Sequence, residues 1–190
     1  MITQYGYSTE FCETAKRNVI DAYKKWSDEE IKADLQKNRL PMVSIFMNIG
    51  YNINIASGIR AHNAFLGKEA YIVGRKKWDR RGSISTHRYE TVYHADDFDE
   101  VLKILHPLGY TIFAVDNIPE YNPKNIYDAD IPMKSAFVYG NECDGLPKEI
   151  IDKCDEMVYI RQYGSCRSLN IAQAAACCMM EYSRRYRMKG

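Results

Sequence analysis

The sequence predicts an α/β protein with a mostly parallel β-sheet and helices on both faces of that sheet. Two observations lead to this prediction. The chain after Pro41 contains six short runs rich in β-branched and aromatic residues, which favour strands. Segments with helical patterning lie between several of these runs, and strands that alternate with helices usually pair in parallel and are covered on both sides. The six runs are residues 42–47, 70–74, 90–94, 111–115, 136–140 and 157–160.

Four helices are predicted in the same part of the chain, and the last is the best defined. Its apolar residues recur at three- and four-residue spacing, which is typical of an amphipathic helix: Ile171, Ala175, Cys178 and Tyr182. Ser168 is the predicted N-cap of this helix. The other three helices are predicted at about residues 54–66, 97–107 and 147–154.

Residues 10–39 have the pattern of one or two short helices, with Asp28 ahead of Glu29 and Glu30 as a helix start. The length of 190 residues suits one domain with a sizeable core. We therefore expect a short N-terminal helical extension, residues 1–40, followed by a single globular domain, residues 41–190.

Composition excludes several classes of protein. The chain has 46% hydrophobic residues and a net charge of +1, which is ordinary for a soluble globular protein and is not the strongly basic balance of many nucleic-acid binders. No apolar run approaches the roughly 20 residues of a membrane span, and the first residues lack the pattern of a signal peptide. The six cysteines form no C-x-x-C pair. We expect a cytoplasmic protein without a metal site, a disulfide framework or a membrane contact.

Nucleotide-binding signatures of two common α/β folds are missing. The turn after the first predicted strand does not contain G-x-G-x-x-G, and no G-x-x-x-x-G-K-[ST] is present. Ligands of open α/β sheets nevertheless gather at the carboxyl ends of the strands. Functional residues are therefore expected in the turns that follow strands.

Two of these turns carry polar residues and glycines together. The first contains NINIASGIRAHNAFLG, in which Asn54 and Arg60 are separated by nearly two helical turns. The second reads GNECDGLPKE and begins with Gly140, which permits close approach of a ligand to the backbone, and with Asn141 and Glu142. Each turn alone has a simpler interpretation. Arg60 in the first could be a solvated helix arginine, and the second could be an ordinary strand-to-helix turn.

The third turn, RQYGSCR, leads from the last predicted strand into Ser-Leu-Asn at the start of the last helix. Arg167 puts a positive charge at the positive end of the helix dipole, where an acidic residue is the usual choice. Asn170 is a poor helix former at that position. A ligand outside the helix would account for both residues.

Taken together, the three turns resemble one family. The segments NIASGIRAHNAFLG, GNECDGLP and GSCRSLNIAQAAACCMMEY occur in the order and spacing of the SpoU/TrmH RNA ribose methyltransferases. The resemblance covers roughly residues 42–186. It implies a SPOUT-type fold with a deep trefoil knot in its C-terminal part, a bent S-adenosyl-L-methionine held by the loops of that knot, and a homodimer that binds RNA.

The resemblance also implies roles for individual residues. The predicted catalytic residues are Arg60, Asn54, Glu142, Ser168 and Asn170. The predicted cofactor-binding residues are Val115, Gly140, Ile160, Leu169, Asn141, Gly145 and Gly164. Cys143 and Ala56 stand where the family commonly has glycine, and no metal is implied.

The implied reaction is attack of a ribose 2′-oxygen on the sulfonium methyl group. The preferred substrate is tRNA over rRNA, and a D-loop guanosine is the candidate position. Arg60 is either the general base or, because a guanidinium stays charged, an electrostatic clamp. Candidate phosphate contacts, chosen from charge alone, are Arg75, Lys76, Lys77, Arg80, Arg81, Arg184, Arg185 and Arg187. The alternatives are an rRNA methyltransferase, a base methyltransferase, a knotted RNA-binding protein without activity and, least favoured, a nicotinamide-dependent oxidoreductase.

Overall fold

The computed structural model describes residues 1–4, 18–49, 54–141 and 145–187, and within these ranges eight strands form one sheet. The strands are β1 (Thr3–Gln4), β2 (Leu40–Asn48), β3 (Gly67–Gly74), β4 (Val92–Ala95), β5 (Thr111–Val115), β6 (Lys124–Asn125), β7 (Ser135–Tyr139) and β8 (Glu156–Tyr159). Their order across the sheet is β1-β4-β3-β2-β7-β5-β8-β6. The pairing of β1 with β4 is antiparallel, and the other pairs are parallel.

Five α-helices accompany these strands in the described ranges. They are α1 (Asp28–Gln36), α2 (Ile55–Ala64), α3 (Phe98–Leu105), α4 (Lys148–Ile151) and α5 (Ile171–Arg187). The predicted fold class is confirmed, and all six predicted strands and four predicted helices are present. The sequence did not predict β1 and β6, which are two residues long and carry no detectable pattern. Segment 1–40 therefore contributes a strand to the sheet edge as well as helix α1.

The sheet is covered on both faces because successive residues of its central strands enter two different cores. Met42 and Phe46 of β2 belong to a core that includes α2 and α5, whereas Val43 and Ile45 belong to the core formed with α3 and α4. This alternation is the two-residue period of a strand with apolar residues at both phases. Gly58 allows α2 to approach the sheet closely, since a Cβ there would lie 2.5 Å from a ring atom of Phe46.

The helix starts show which side chains act as caps. Ser27 caps α1, because its hydroxyl accepts from the Glu30 N–H and the Glu30 carboxylate accepts from the Ser27 N–H. Asn170 has the corresponding position before α5, since its Oδ1 accepts from the Ala172 N–H at 2.9 Å and its carbonyl accepts from the Ala174 N–H. The prediction of Ser168 as the N-cap is therefore wrong, and capping explains Asn170.

Helix α5 is also fastened near its C-terminal end to the segment before β7. Arg185 donates to the carbonyl oxygens of Ala129 and Ile126 at 2.7 and 2.8 Å. The Tyr186 hydroxyl donates to the Ile131 carbonyl at 2.5 Å, and the Tyr182 hydroxyl donates to that of Met133. These bonds satisfy carbonyl groups in residues 126–133.

A buried polar network joins β2 and the residue before it, the segment before β4, and α2. Arg39 and Glu90 form an ion pair at 2.7 Å with side chains 2% and 0% exposed. Asn63 donates to the same carboxylate, and the neighbouring His62 ring is 2.9 Å from the Ser44 hydroxyl. Burial, with the nearby charge of Arg39, lowers the pKa of His62 to about 3, so the imidazole is neutral at pH 7.

The described residues contain neither a membrane-spanning helix nor a cluster of metal-binding side chains. No helix there is long and apolar enough to cross a membrane. No group of three or more histidine, cysteine, aspartate or glutamate side chains in those ranges could hold a metal ion. Cys154, Cys166, Cys177 and Cys178 are free thiols.

We expect His62 to make the fold acid-sensitive. The unfolded histidine binds a proton below about pH 6.5, whereas the folded one resists protonation until about pH 3, so the unfolding free energy should decrease as the pH falls through this interval. Between pH 7 and pH 5 this residue should contribute a loss of about 2 kcal/mol. Urea unfolding at both pH values measures this decrease in unfolding free energy. The decrease should be about 2 kcal/mol smaller in His62→Gln, which keeps a polar group near Ser44, than in the native protein. An equal loss in both proteins would contradict the expectation.

Candidate functional site

A cavity of about 450 Å³ opens at the carboxyl ends of three neighbouring strands, β5, β7 and β8. The last residue of each strand, Val115, Tyr139 and Tyr159, lies in its wall. The position is the one at which ligands of parallel α/β sheets bind. The remaining wall is formed by Asp116, Asn117, Ile118, Gly140, Asn141, Gly145, Ile160, Gln162, Arg167, Ser168, Leu169, Ile171 and Ala174.

The wall after β7 depends on a close approach between two glycines. A Cβ on Gly140 would lie 2.3 Å from the carbonyl carbon and oxygen of Gly145, which no side chain tolerates. Gly145 has a φ of +67°, which favours glycine. Asn141 and Gly145 exchange two backbone hydrogen bonds of 3.3 and 3.0 Å. The glycines at both positions are therefore required by the shape of this wall.

Asp116 ties this wall to the end of β5. Its Oδ2 accepts from the Leu146 N–H at 3.0 Å, and its Oδ1 accepts from the Asn117 N–H at 2.8 Å. A Cβ on Gly145 would lie 2.7 Å from the same Oδ2. The carboxylate thus holds two walls of the cavity together. Sequence analysis did not identify Asp116, although a polar residue directly after a predicted strand was a signal of the kind used for Asn141.

The third wall consists of the segment from β8 to α5 and the first turns of α5. Ser168 and Leu169 precede the Asn170 cap, so the cap fixes where the helix starts relative to the cavity. Arg167 is exposed and lines the opening. The cavity combines apolar surface from Val115, Ile160 and Leu169 with amide, hydroxyl and charged groups, which suits a small molecule that is partly flat and apolar and partly polar.

The structure brings together most of the residues that were predicted to bind a cofactor. The wall contains six of the seven: Val115, Gly140, Ile160, Leu169, Asn141 and Gly145. Gly164 lies in the exposed segment before α5 and is not among the lining residues. Of the predicted catalytic residues, Ser168 lines the cavity, and Asn170 adjoins it as the helix cap. Glu142, like Cys143, lies outside the described residues.

Asn54 and Arg60 lie on α2, which packs beside α5. Asn54 stands at the position before the first helical residue, and its side chain makes no capping bond there. Arg60 is exposed. Neither residue is among those that line the cavity. Ala56 is fully buried in the core, so its methyl group is part of the packing of α2.

The structure bears on the phosphate contacts that were predicted from charge for basic residues in two stretches, 75–81 and 184–187. Arg185 was predicted to contact phosphate, and this is wrong because its guanidinium is held by Glu181 and by backbone carbonyls of residues 126–129. Arg184 pairs with Glu181, and Arg187 donates to the Asn38 carbonyl. The remaining candidates, Arg75, Lys76, Lys77, Arg80 and Arg81, are exposed. Their contact with phosphate stays a prediction.

Residues 41–180 match the sequence model of the SpoU rRNA Methylase family. The chain belongs to this family.

Individual SpoU relatives cover shorter parts of the chain. It is 36% identical over 76 residues to a Mus musculus tRNA (guanosine(18)-2'-O)-methyltransferase, which corresponds to 40% of this chain and 5% of that protein. It is 29% identical over 108 residues to a Neisseria meningitidis 23S rRNA (guanosine-2'-O-)-methyltransferase, 57% of this chain and 41% of the relative. The chain thus spans less than half the length of either relative.

A solved SpoU structure shows the same fold. The SpoU methyltransferase AviRb from Streptomyces viridochromogenes, in complex with the cofactor AdoMet, superposes with a TM-score of 0.69 at 24% identity. The match covers 83% of this chain and 65% of that one. The likeness confirms the arrangement of sheet and helices.

The role assigned to Asp116 has a direct test in amide hydrogen exchange. In Asp116→Ala the Leu146 N–H loses its acceptor, so exchange in the peptide that contains residues 145–151 should become at least about tenfold faster, the scale of one hydrogen bond to a charged group. Asp128→Ala, which removes an exposed carboxylate elsewhere, is the control. Unchanged exchange at residues 145–151 in Asp116→Ala would show that the carboxylate does not hold this wall.

Proposed function

We propose that this chain is an RNA methyltransferase that uses S-adenosyl-L-methionine and transfers a methyl group to a ribose 2′-hydroxyl. The observation that carries the proposal is the convergence of the family's second and third motifs on one cavity at the carboxyl ends of β5, β7 and β8. The names of the two relatives, both guanosine 2′-O-methyltransferases, support the same reaction. We further propose tRNA as the substrate, with a D-loop guanosine as the candidate nucleotide.

The described cavity fits the proposed cofactor. Its volume of about 450 Å³ lies within the range of small-molecule sites. Gly140 and Gly145 line the cavity, and their close packing against each other and against Asp116 sets the shape of its wall. Ile160 and Leu169 supply apolar surface for a planar adenine ring. When bound, S-adenosyl-L-methionine supplies the activated methyl group. Val115, Gly140, Ile160 and Leu169 would hold its adenosyl part.

The chain's own polar groups would then position the ribose. Ser168 offers a hydroxyl in the cavity wall that can donate to or accept from a ribose oxygen. The cap bond to the Ala172 N–H holds the Asn170 side chain in one orientation, so this residue needs no reorganisation before substrate binds. We assign Arg60 the role of an electrostatic clamp on a phosphate beside the target ribose and on the negative charge that develops at the 2′-oxygen, which is the kind of contact that guanidinium groups make.

Four further expectations are part of the proposal. The chain acts as a homodimer that binds RNA across both subunits, and it acts in the cytoplasm, where its RNA substrate is available. Residues 41–190 form the SPOUT domain behind the extension 1–40, a division supported by the family match that begins at residue 41. A trefoil knot forms in the C-terminal part. The side-by-side arrangement of β7, β5 and β8 around the cavity is consistent with this expectation.

The proposed activity is tested by methyl transfer. Purified protein with radiolabelled S-adenosyl-L-methionine should label unmodified bulk tRNA, and nucleoside mass spectrometry should identify a 2′-O-methylated nucleotide. Arg60→Ala should reduce the rate about 100-fold, the scale of one lost transition-state hydrogen-bond donor. Arg60→Lys should recover part of the rate if a point charge is enough.

The same reactions with rRNA distinguish the alternatives. Label in rRNA alone would correct the substrate. Label that resides in a base would correct the reaction. No label in either RNA from a folded protein would contradict methyl transfer and favour the binding-only interpretation.

Cofactor binding is tested by two glycine substitutions that add the same methyl group. Gly140→Ala forces its Cβ against Gly145, so isothermal titration calorimetry should show affinity for S-adenosyl-L-methionine reduced more than about tenfold. Gly164→Ala adds a methyl group where no atom lies within 4 Å, and the affinity should change less than about twofold. A large loss in Gly164→Ala would instead support the sequence-based role of Gly164. Tight binding by Gly140→Ala would contradict the proposed site.

A further inference from the structure

An unusually exposed aromatic residue stands beside the mouth of the cavity. Tyr163 is 86% exposed, more than any other large hydrophobic or aromatic residue in the described ranges. The guanidinium of Arg161 lies over its ring, 5.8 Å from the ring centroid. Gln162, between these two residues, lines the cavity, and so does Arg167 four positions after Tyr163. The pair is thus placed next to the site in which methyl transfer is proposed.

The surroundings of Tyr163 are polar and positively charged. Residues 161–170, RQYGSCRSLN, contain two arginines and no acidic residue, and residues 163–168 are all exposed. The N-terminus of α5 directly follows and adds the positive end of a helix dipole. Aromatic and arginine side chains that share a positive surface are the groups that stack on unpaired bases and attract phosphates.

We propose that Arg161 and Tyr163 form a stacking platform for an unpaired nucleobase of the RNA, next to the nucleotide whose ribose enters the cavity. The platform rests on the proposed function and adds to it the substrate contact that positions the RNA. The Arg161 guanidinium restrains the ring from one side, and the exposed ring surface remains available to a base. Since every base has a π-face, the platform orients the strand without selecting one base.

Composition favours RNA over a protein partner for this surface. An interface between protein chains has an apolar centre in which several side chains are buried together. Around Tyr163 the exposed residues are Gly164, Ser165, Cys166 and Arg167, which offer little apolar area. A contact between two copies of the chain is therefore the alternative that the experiment must exclude.

RNA affinity measured by fluorescence anisotropy with unmodified tRNA tests the platform. Tyr163→Ala should weaken binding about tenfold, the effect of removing one base–aromatic stack, whereas Tyr163→Phe, which keeps the ring, should stay within about threefold. Tyr127→Ala is the matched control, because Tyr127 is also exposed, at 55%, but, unlike Tyr163, has no immediate neighbour in the chain that lines the cavity. Affinity for S-adenosyl-L-methionine should be the same in all four proteins.

A second variant reports stacking directly. RNA should quench the tryptophan fluorescence of Tyr163→Trp. The quenching should exceed any fluorescence change that RNA causes in the native protein, which contains Trp26 and Trp78. Equal RNA affinity of the native and Tyr163→Ala proteins, or no additional quenching, would overturn the platform. So would an oligomeric mass that falls in Tyr163→Ala while RNA affinity is kept, which would place Tyr163 between two copies. Failure of the native protein to transfer methyl groups would contradict the proposed function instead, because the affinity measurements require no transfer.

Discussion

Burial of both faces of the sheet is the constraint on which the rest of this structure depends. Strands β2, β5 and β7 send alternate side chains into two cores, so their side chains are committed to packing against α2 and α5 on one face and α3 and α4 on the other. A polar group inside the sheet needs a protein partner, as Ser44 has in His62, because an unpaired one costs several kcal/mol. Polar groups that remain available to a ligand are therefore placed where the strands end. The cavity follows from this restriction, and so does the location of Asn141, Asp116 and Ser168 at one edge of the sheet.

Close backbone contacts give that edge its shape. Gly140 lies against Gly145 within the segment after β7, and the Asp116 carboxylate joins that segment to the end of β5 by accepting from the Leu146 N–H. The cap of α5 by Asn170 fixes the third segment. A cavity built in this way is formed before a ligand arrives, and binding then requires little ordering of the protein. Arg161 and Tyr163 are exposed, and Gln162 between them lines the cavity, so the pair stands at its margin.

The sequence was sufficient for the main elements because most of the predicted strands are nearly continuous apolar runs that end at a polar residue or a glycine. It was also sufficient for most of the cavity wall, since the motif residues follow strands that prove to be neighbours. It could not reveal β1 and β6, whose two residues each are selected by tertiary pairing. Nor could it reveal the structural use of Arg185, whose carbonyl partners lie about 55 to 60 residues away. The misplacement of the cap shows a related limit: Ser and Asn are equally good N-caps, and only the backbone bond to Ala174 decides between Ser168 and Asn170.

The bonds between α5 and residues 126–133 have a consequence for synthesis on the ribosome. The carbonyl groups of Ile126, Ala129 and Ile131 receive their side-chain donors from Arg185 and Tyr186, which are translated more than 50 residues later. As the nascent chain leaves the exit tunnel, strands β2, β3 and β4 can already pair, whereas residues 126–133 must remain hydrated until α5 has emerged. Elongation pauses within this interval would therefore prolong exposure of the core face that α5 covers, and chaperone contact should concentrate on that face.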